Sequence, residues 1–168
     1  MIKDYELLED DVVARIAPLT VAGVLIVQAM PDNDADYEKA TVENRVTVIY
    51  KSSEYSPEVV RGLPTMLSTD IAAQHEFADV EIILRGRLLR GENGLHRLAK
   101  KIMQSVLGFA PQHWGRLYFK NYGYVEHKDG IWIYALTVTT KGIVVQDTDP
   151  EEGTGLPTFQ QGTLNINQ

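Results

Sequence analysis

The chain contains no cysteine, so neither disulfides nor thiolate metal sites can hold it together, and its fold must rest on packing and hydrogen bonds. It also lacks an apolar run of the roughly 18 residues that a membrane-spanning helix needs. Its longest apolar stretch, Val21 to Val27, is strand-sized and interrupted by Gly23. No membrane partner is expected. The first eleven residues set Lys3 among five carboxylates, where a secretory signal would have a basic start and an apolar middle, so the protein is expected to stay in the cytoplasm where it is made. Basic residues are outnumbered, with 16 Lys and Arg against 23 Asp and Glu, which gives a net charge of −7. That balance opposes non-specific nucleic-acid binding, since neutralising phosphates takes a surplus of cations.

Recognisable chemistry is scarce as well. The four histidines, His75, His96, His113 and His127, form no pair at metal-ligand spacing, and His75-Glu76 lacks a second histidine four residues on. Gly86 and Gly91 have the gap of a phosphate loop, but Glu92 stands where that loop requires lysine and would repel phosphate. There is no Gly-x-Ser-x-Gly elbow, and the carboxylate pairs Asp10 with Asp11 and Asp79 with Glu81 read as solvated faces. No catalytic, metal-binding or cofactor-binding residue is therefore assigned, and no cofactor is expected. A small hydrolase built from scattered residues, with His75 and Glu76 as the ones to mutate, is the alternative from another class.

What is present describes one folded domain. The 168 residues are 44% apolar and 23% charged, with 13 Gly and 7 Pro, all near the averages for globular proteins. Tyr5, Leu8, Val12 and Ile16 recur at helical spacing between a capping Asp4 and Pro18. Val21 to Met30 reads as a strand that ends at Pro31 and the acidic loop Asp32, Asp34, Asp36. Arg45 to Tyr50 alternates as a half-buried strand, and Lys51 to Thr65, with its Ser, Gly and Pro residues, reads as a long surface loop. From Gln74 to Arg85, Ala78, Val80, Ile82 and Leu84 share one strand face, and Phe77, Asp79, Glu81, Ile83 and Arg85 the other. A second helix follows Gly91, capped by Asn93 and stopped by Gly108, with Leu95, Leu98, Ile102, Met103 and Val106 on its apolar stripe. Leu117 to Glu126 and Ile131 to Thr140 form a hairpin over the Asp129-Gly130 turn, and the second strand is apolar on both faces.

The expected fold is thus α/β in composition, more strictly α+β: a single domain over residues 1–145, with a mixed or antiparallel sheet and two main helices packed against it. Residues 146–168 read as a C-terminal extension, acidic through Asp147, Asp149, Glu151 and Glu152 around Pro150, and expected to be a flexible arm in the free subunit. Two sets of candidate interface residues stand out. Arg85, Arg87 and Arg90 form a basic cluster suited to carboxylates across a protein interface. Leu156, Phe159, Leu164 and Ile166 are apolar anchors in the arm, and the alternation over Thr163 to Asn167 could add a strand to a neighbour's sheet edge.

The run Phe77-Ala78-Asp79-Val80-Glu81-Ile82-Ile83-Leu84-Arg85-Gly86-Arg87-Leu88-Leu89-Arg90-Gly91, with its helix ending at Leu107-Gly108-Phe109, resembles the family of Mu-like phage tail proteins regarded as tail terminators. So does Tyr124-Val125-Glu126 through Asp129-Gly130-Ile131-Trp132-Ile133-Tyr134-Ala135-Leu136. The resemblance spans about residues 4 to 145, is looser from 29 to 65, and does not extend past Gln146. It implies a non-enzymatic virion component of a contractile tail, a homo-oligomeric ring, hexameric in the family, that caps the tail tube. Its partners would be itself, the tube and sheath proteins, and the neck or connector protein, with DNA passing through the ring without specific binding. Another head-tail joining or tail structural role is the nearest alternative.

Overall fold

The computed structural model describes residues 5–20, 25–32, 44–59 and 73–145. The first helix, α1 (Tyr5–Ile16), buries Leu8, Val12 and Ile16, one residue per turn, and a short 3-10 turn containing Pro18 ends it. The second, α2 (Leu95–Val106), buries Leu95, Leu98, Ile102 and Val106 together with Ala99. At about 1.5–3 kcal/mol per large apolar side chain, that stripe outweighs anything a helix of three turns gains from propensity alone. Its cap differs from expectation: Gly94 occupies the N-cap with no side-chain hydrogen bond, while the carbonyl of Asn93 accepts from Asn44 Nδ2 at 2.8 Å. Gly108, at φ +75°, follows the helix as expected of a stop.

Five strands, β1 (Leu25–Ala29), β2 (Asn44–Val59), β3 (Ala73–Gly86), β4 (Tyr118–Lys128) and β5 (Ile131–Val145), form one mixed sheet in the order β1-β2-β3-β5-β4. Only β1 and β2 run parallel. Both helices pack on the same side of the sheet, against Val46 and Val48 of β2, Ala78, Val80, Ile82 and Leu84 of β3, and Leu136 and Val138 of β5. This is the single-domain α+β arrangement expected from the sequence. The other face of β5 carries Ile133, which is buried, and Ile131 and Ala135, which are half-buried, so this strand is apolar on both sides.

One expectation fails over β2. Lys51 to Val59 is not a loop but a continuation of the strand, paired with β3 through a register shift after Tyr50. β1 pairs with β2 only as far as Val48, so beyond that point one edge of β2 has no described neighbour, and Pro57, which has no amide hydrogen, falls in a second irregularity between Tyr55 and Val59 where no partner in β3 is required. The expectations for Val21 to Val24, for Asp34 and Asp36, and for the arm with Leu156, Phe159, Leu164 and Ile166 concern positions outside the described residues.

Candidate interaction surface

A two-residue turn joins β4 to β5, with Asp129 at φ 53° and Gly130 at φ 75°. Two successive positive φ values give the local twist that suits adjacent antiparallel strands. The pairing of β4 with β5 slips twice, between Phe119 and Asn121 and between Tyr124 and Glu126. Each slip reverses which residues point toward the helices. Phe119, Tyr122, Tyr124 and His127, which strict alternation would divide between two faces, all come to lie opposite the helix-side residues Val138, Leu136, Tyr134 and Trp132.

An array of rings results at the hairpin end of the sheet. His127 stacks on Trp132 with centroids 4.0 Å apart, and Tyr122 stacks on Tyr134 at 5.3 Å. Tyr124 meets the edges of both Trp132 and Tyr134, at 6.4 and 5.8 Å. From the first turn of α2, His96 closes the group, with its ring 5.2 Å from Tyr134 and its Nδ1 3.1 Å from the Tyr122 hydroxyl. Burial, assisted by the neighbouring Tyr134, pushes the Tyr122 phenol up to about 12. Tyr124 and the adjoining Val125 are nevertheless more than half exposed, so the array has a buried root and an open outer rim.

The arginine cluster divides. Arg85 lies within β3 and is half-buried, whereas Arg87 and Arg90 are exposed on the connection to α2. A Cβ placed on Gly130 would lie 3.8 Å from Arg87 Nη1, so this guanidinium borders the hairpin turn. Arg97 and Lys100 are exposed on α2. The aromatic array and Arg87 therefore share one end of the molecule, and the outer edge of β4 beside them pairs with no described strand. This composition, Tyr, Trp and Arg around a partly desolvated centre, is that of protein-interface hot spots.

The residues proposed for hydrolysis are not brought together. They are neighbours on β3 and so point to opposite faces of the sheet. Glu76 is fully buried, and its Oε1 accepts from Tyr5 at 2.6 Å, Ser53 at 2.5 Å and Tyr55 at 3.2 Å. Burial and the bond to Glu76 push the Tyr5 phenol above its ordinary range. Asp79 and Glu81 share a face as expected but are not merely solvated: Lys120 lies 2.7 Å from Asp79 and Lys51 3.2 Å from Glu81. The hydrogen bond and charge of Asp79 raise the Lys120 ammonium.

Among the described residues no group of three His, Cys, Asp or Glu is placed to hold a metal ion, and no helix is long and apolar enough to cross a membrane. A cavity of about 90 Å³ lined by Leu19, Leu25, Asn44, Gly94, Leu98 and Lys101 has room for only a few waters.

Fold and surface together define a one-sheet α+β domain with a half-open aromatic array at its hairpin end. The chain belongs to the Gp37 protein family, whose model matches residues 12–161 and so runs past the end of β5 into the arm. Among solved structures it is similar to a chain of the virion of a native gene transfer agent particle, with 11% identity, a TM-score of 0.47, and coverage of 80% of this chain and 92% of that one. No curated protein matches it.

Proposed function

We propose that this protein is a structural, non-enzymatic component of a phage-type virion and, within it, the terminator of a contractile tail. Copies close into a ring, six by the family resemblance, which ends the tube and meets the sheath and the neck or connector protein. The observation that carries this reading is the aromatic hairpin end bordered by Arg87, beside the edge of β4 that pairs with no described strand. Arg87, Arg90, Tyr124, His127, Trp132 and Tyr134 of that surface lie in the segments, Phe77 to Gly91 and Tyr124 to Leu136, that resemble Mu-like tail terminators. A net charge of −7 per copy suits a ring through which DNA slides without sticking.

Labelling the protein on purified tails and imaging them by electron microscopy tests the reading. Label confined to the head-proximal end of the tube, and tubes of uncontrolled length when the protein is left out, are the expected results. Label spread along the tube or placed on the connector alone would assign it to another structural role.

A further inference from the structure

The hairpin end carries exposed cations, Arg87 bordering the turn and Lys128 on β4, with Arg90 on the connection to α2 and Lys100 one turn along α2 from His96, against the exposed carboxylates Glu92, Glu126 and Asp129. The rest of the chain must be acidic in compensation, and one dense acidic stretch lies just beyond β5, where residues 146–168 hold Asp147, Asp149, Glu151 and Glu152 and neither Lys nor Arg. After this acidic stretch come Leu156, Pro157 and Phe159, side chains of the kind that aromatic surfaces retain. The segment is therefore complementary to the hairpin end in charge and in apolar character, and the family match includes it as far as residue 161.

Strand geometry decides whose arm can meet whose surface. In β5 the hairpin-end residue Trp132 and the last residue, Val145, are separated by the length of the strand. Thirteen residues at about 3.3 Å each make that separation about 43 Å. Glu152 is seven residues beyond Val145, a reach of at most about 25 Å even fully extended. The acidic stretch thus cannot reach the arginines of its own copy. It leaves the sheet at the opposite end.

We propose that residues 147–166 of one copy dock on the hairpin end of a second copy, the carboxylates against Arg87 and Arg90 and the apolar residues over the rim formed by Tyr124 and Trp132. Thr163 to Ile166 then lies along the edge of β4 that pairs with no described strand. Such a contact is head-to-tail, so repetition generates a ring when the rotation closes. This rests on the reading that copies of the chain assemble, and it specifies how.

The test uses the full chain and exploits its lack of cysteine. Two separately tagged variants, V125C and Q160C, are mixed and treated with a short bis-maleimide under conditions of assembly. A covalent product carrying both tags is expected. In a chain carrying both cysteines, a link only within one chain would show the arm folding back, and sedimentation-proved assembly without any link would show that another surface joins the copies. Either result overturns the proposal while leaving the assembly reading intact. A chain that stays monomeric at every concentration and on tubes overturns both.

Charge reversal supplies the second arm. Arg87→Glu with Arg90→Glu should weaken self-association at least tenfold, as should the set Asp147→Lys, Asp149→Lys, Glu151→Lys and Glu152→Lys, and combining the two sets in one chain should restore it. Loss with either set and no restoration in the combination would reject the pairing. Circular dichroism on each variant separates this from misfolding.

Discussion

Three hydroxyls converge on one oxygen of Glu76, and the donors come from α1 and from the far half of β2. This is a polar joint inside an otherwise apolar layer, and Tyr5 also stacks on Tyr50 at 4.0 Å. Glu76→Ala would leave all three hydroxyls without this acceptor, and the expected loss is about 2–4 kcal/mol, read as a lower urea midpoint with the slope unchanged. Glu76→Gln keeps an acceptor at Oε1 and should cost about half as much. A loss below about 0.5 kcal/mol for the alanine variant would mean that the joint is replaceable by water. The tyrosines also set an alkaline limit. Tyr122 is raised to about 12 and Tyr5 is raised further, so the folded state holds these protons more tightly than the unfolded chain does. The stabilisation is complete below the ordinary tyrosine value of about 10 and is lost as pH climbs through about 12. Lys120, raised by Asp79, has the same sign. Unfolding free energy should thus fall steadily above pH about 10, and Tyr122→Phe should make the decline shallower; an unchanged slope in that variant would remove Tyr122 from this account.

At the scale of elements, the β4–β5 hairpin depends on a turn with two positive φ values, only one of them at a glycine. Gly130→Ala should cost about 1 kcal/mol, because a side chain disfavours that backbone region, and should speed amide exchange in the hairpin more than in α2. Equal acceleration in both would show that the turn has no local role. This hairpin was legible in the sequence because Asp-Gly between two aromatic strands is a local signal, and α2 was legible because Leu95, Leu98, Ile102 and Val106 keep helical spacing throughout. The second half of β2 was not. Ser52 and Ser53 have loop character, and only pairing with Asp79 and Ala78 of β3 makes them a strand. The aromatic face was equally hidden, because period-two reading assigns Phe119 and His127 to one side and Tyr122 and Tyr124 to the other. The slips that reunite them arise from pairing across strands and leave no mark in a single strand's pattern. Arg87 and Arg90 could be found from charge alone, whereas the rings beside them could not.

For the whole molecule, stability and assembly are expected to reside in different parts of the chain. The core cluster of the described residues begins at Leu8 and ends at Val138, and each of its members comes from the sheet, the two helices, or the segment that leads into β4. Deleting residues 147–168 removes none of them. It removes four carboxylates, which changes the net charge from −7 to −3, and it removes the anchors Leu156, Phe159, Leu164 and Ile166. With the core cluster intact, the thermal midpoint of the free, dilute subunit should move by no more than about 2 °C. Assembly should respond far more strongly, because the deletion takes away one entire side of the proposed contact while leaving the hairpin surface intact. The truncated chain should therefore still accept the arm of a full-length copy without offering one, and in mixtures it should end growing assemblies and act as a dominant inhibitor. Titrating truncated into full-length protein and following ring yield by sedimentation measures this. Truncated protein that lowers ring yield out of proportion to its share of the mixture is the expected outcome, whereas rings that form normally from truncated protein alone would show that the arm takes no part in joining copies.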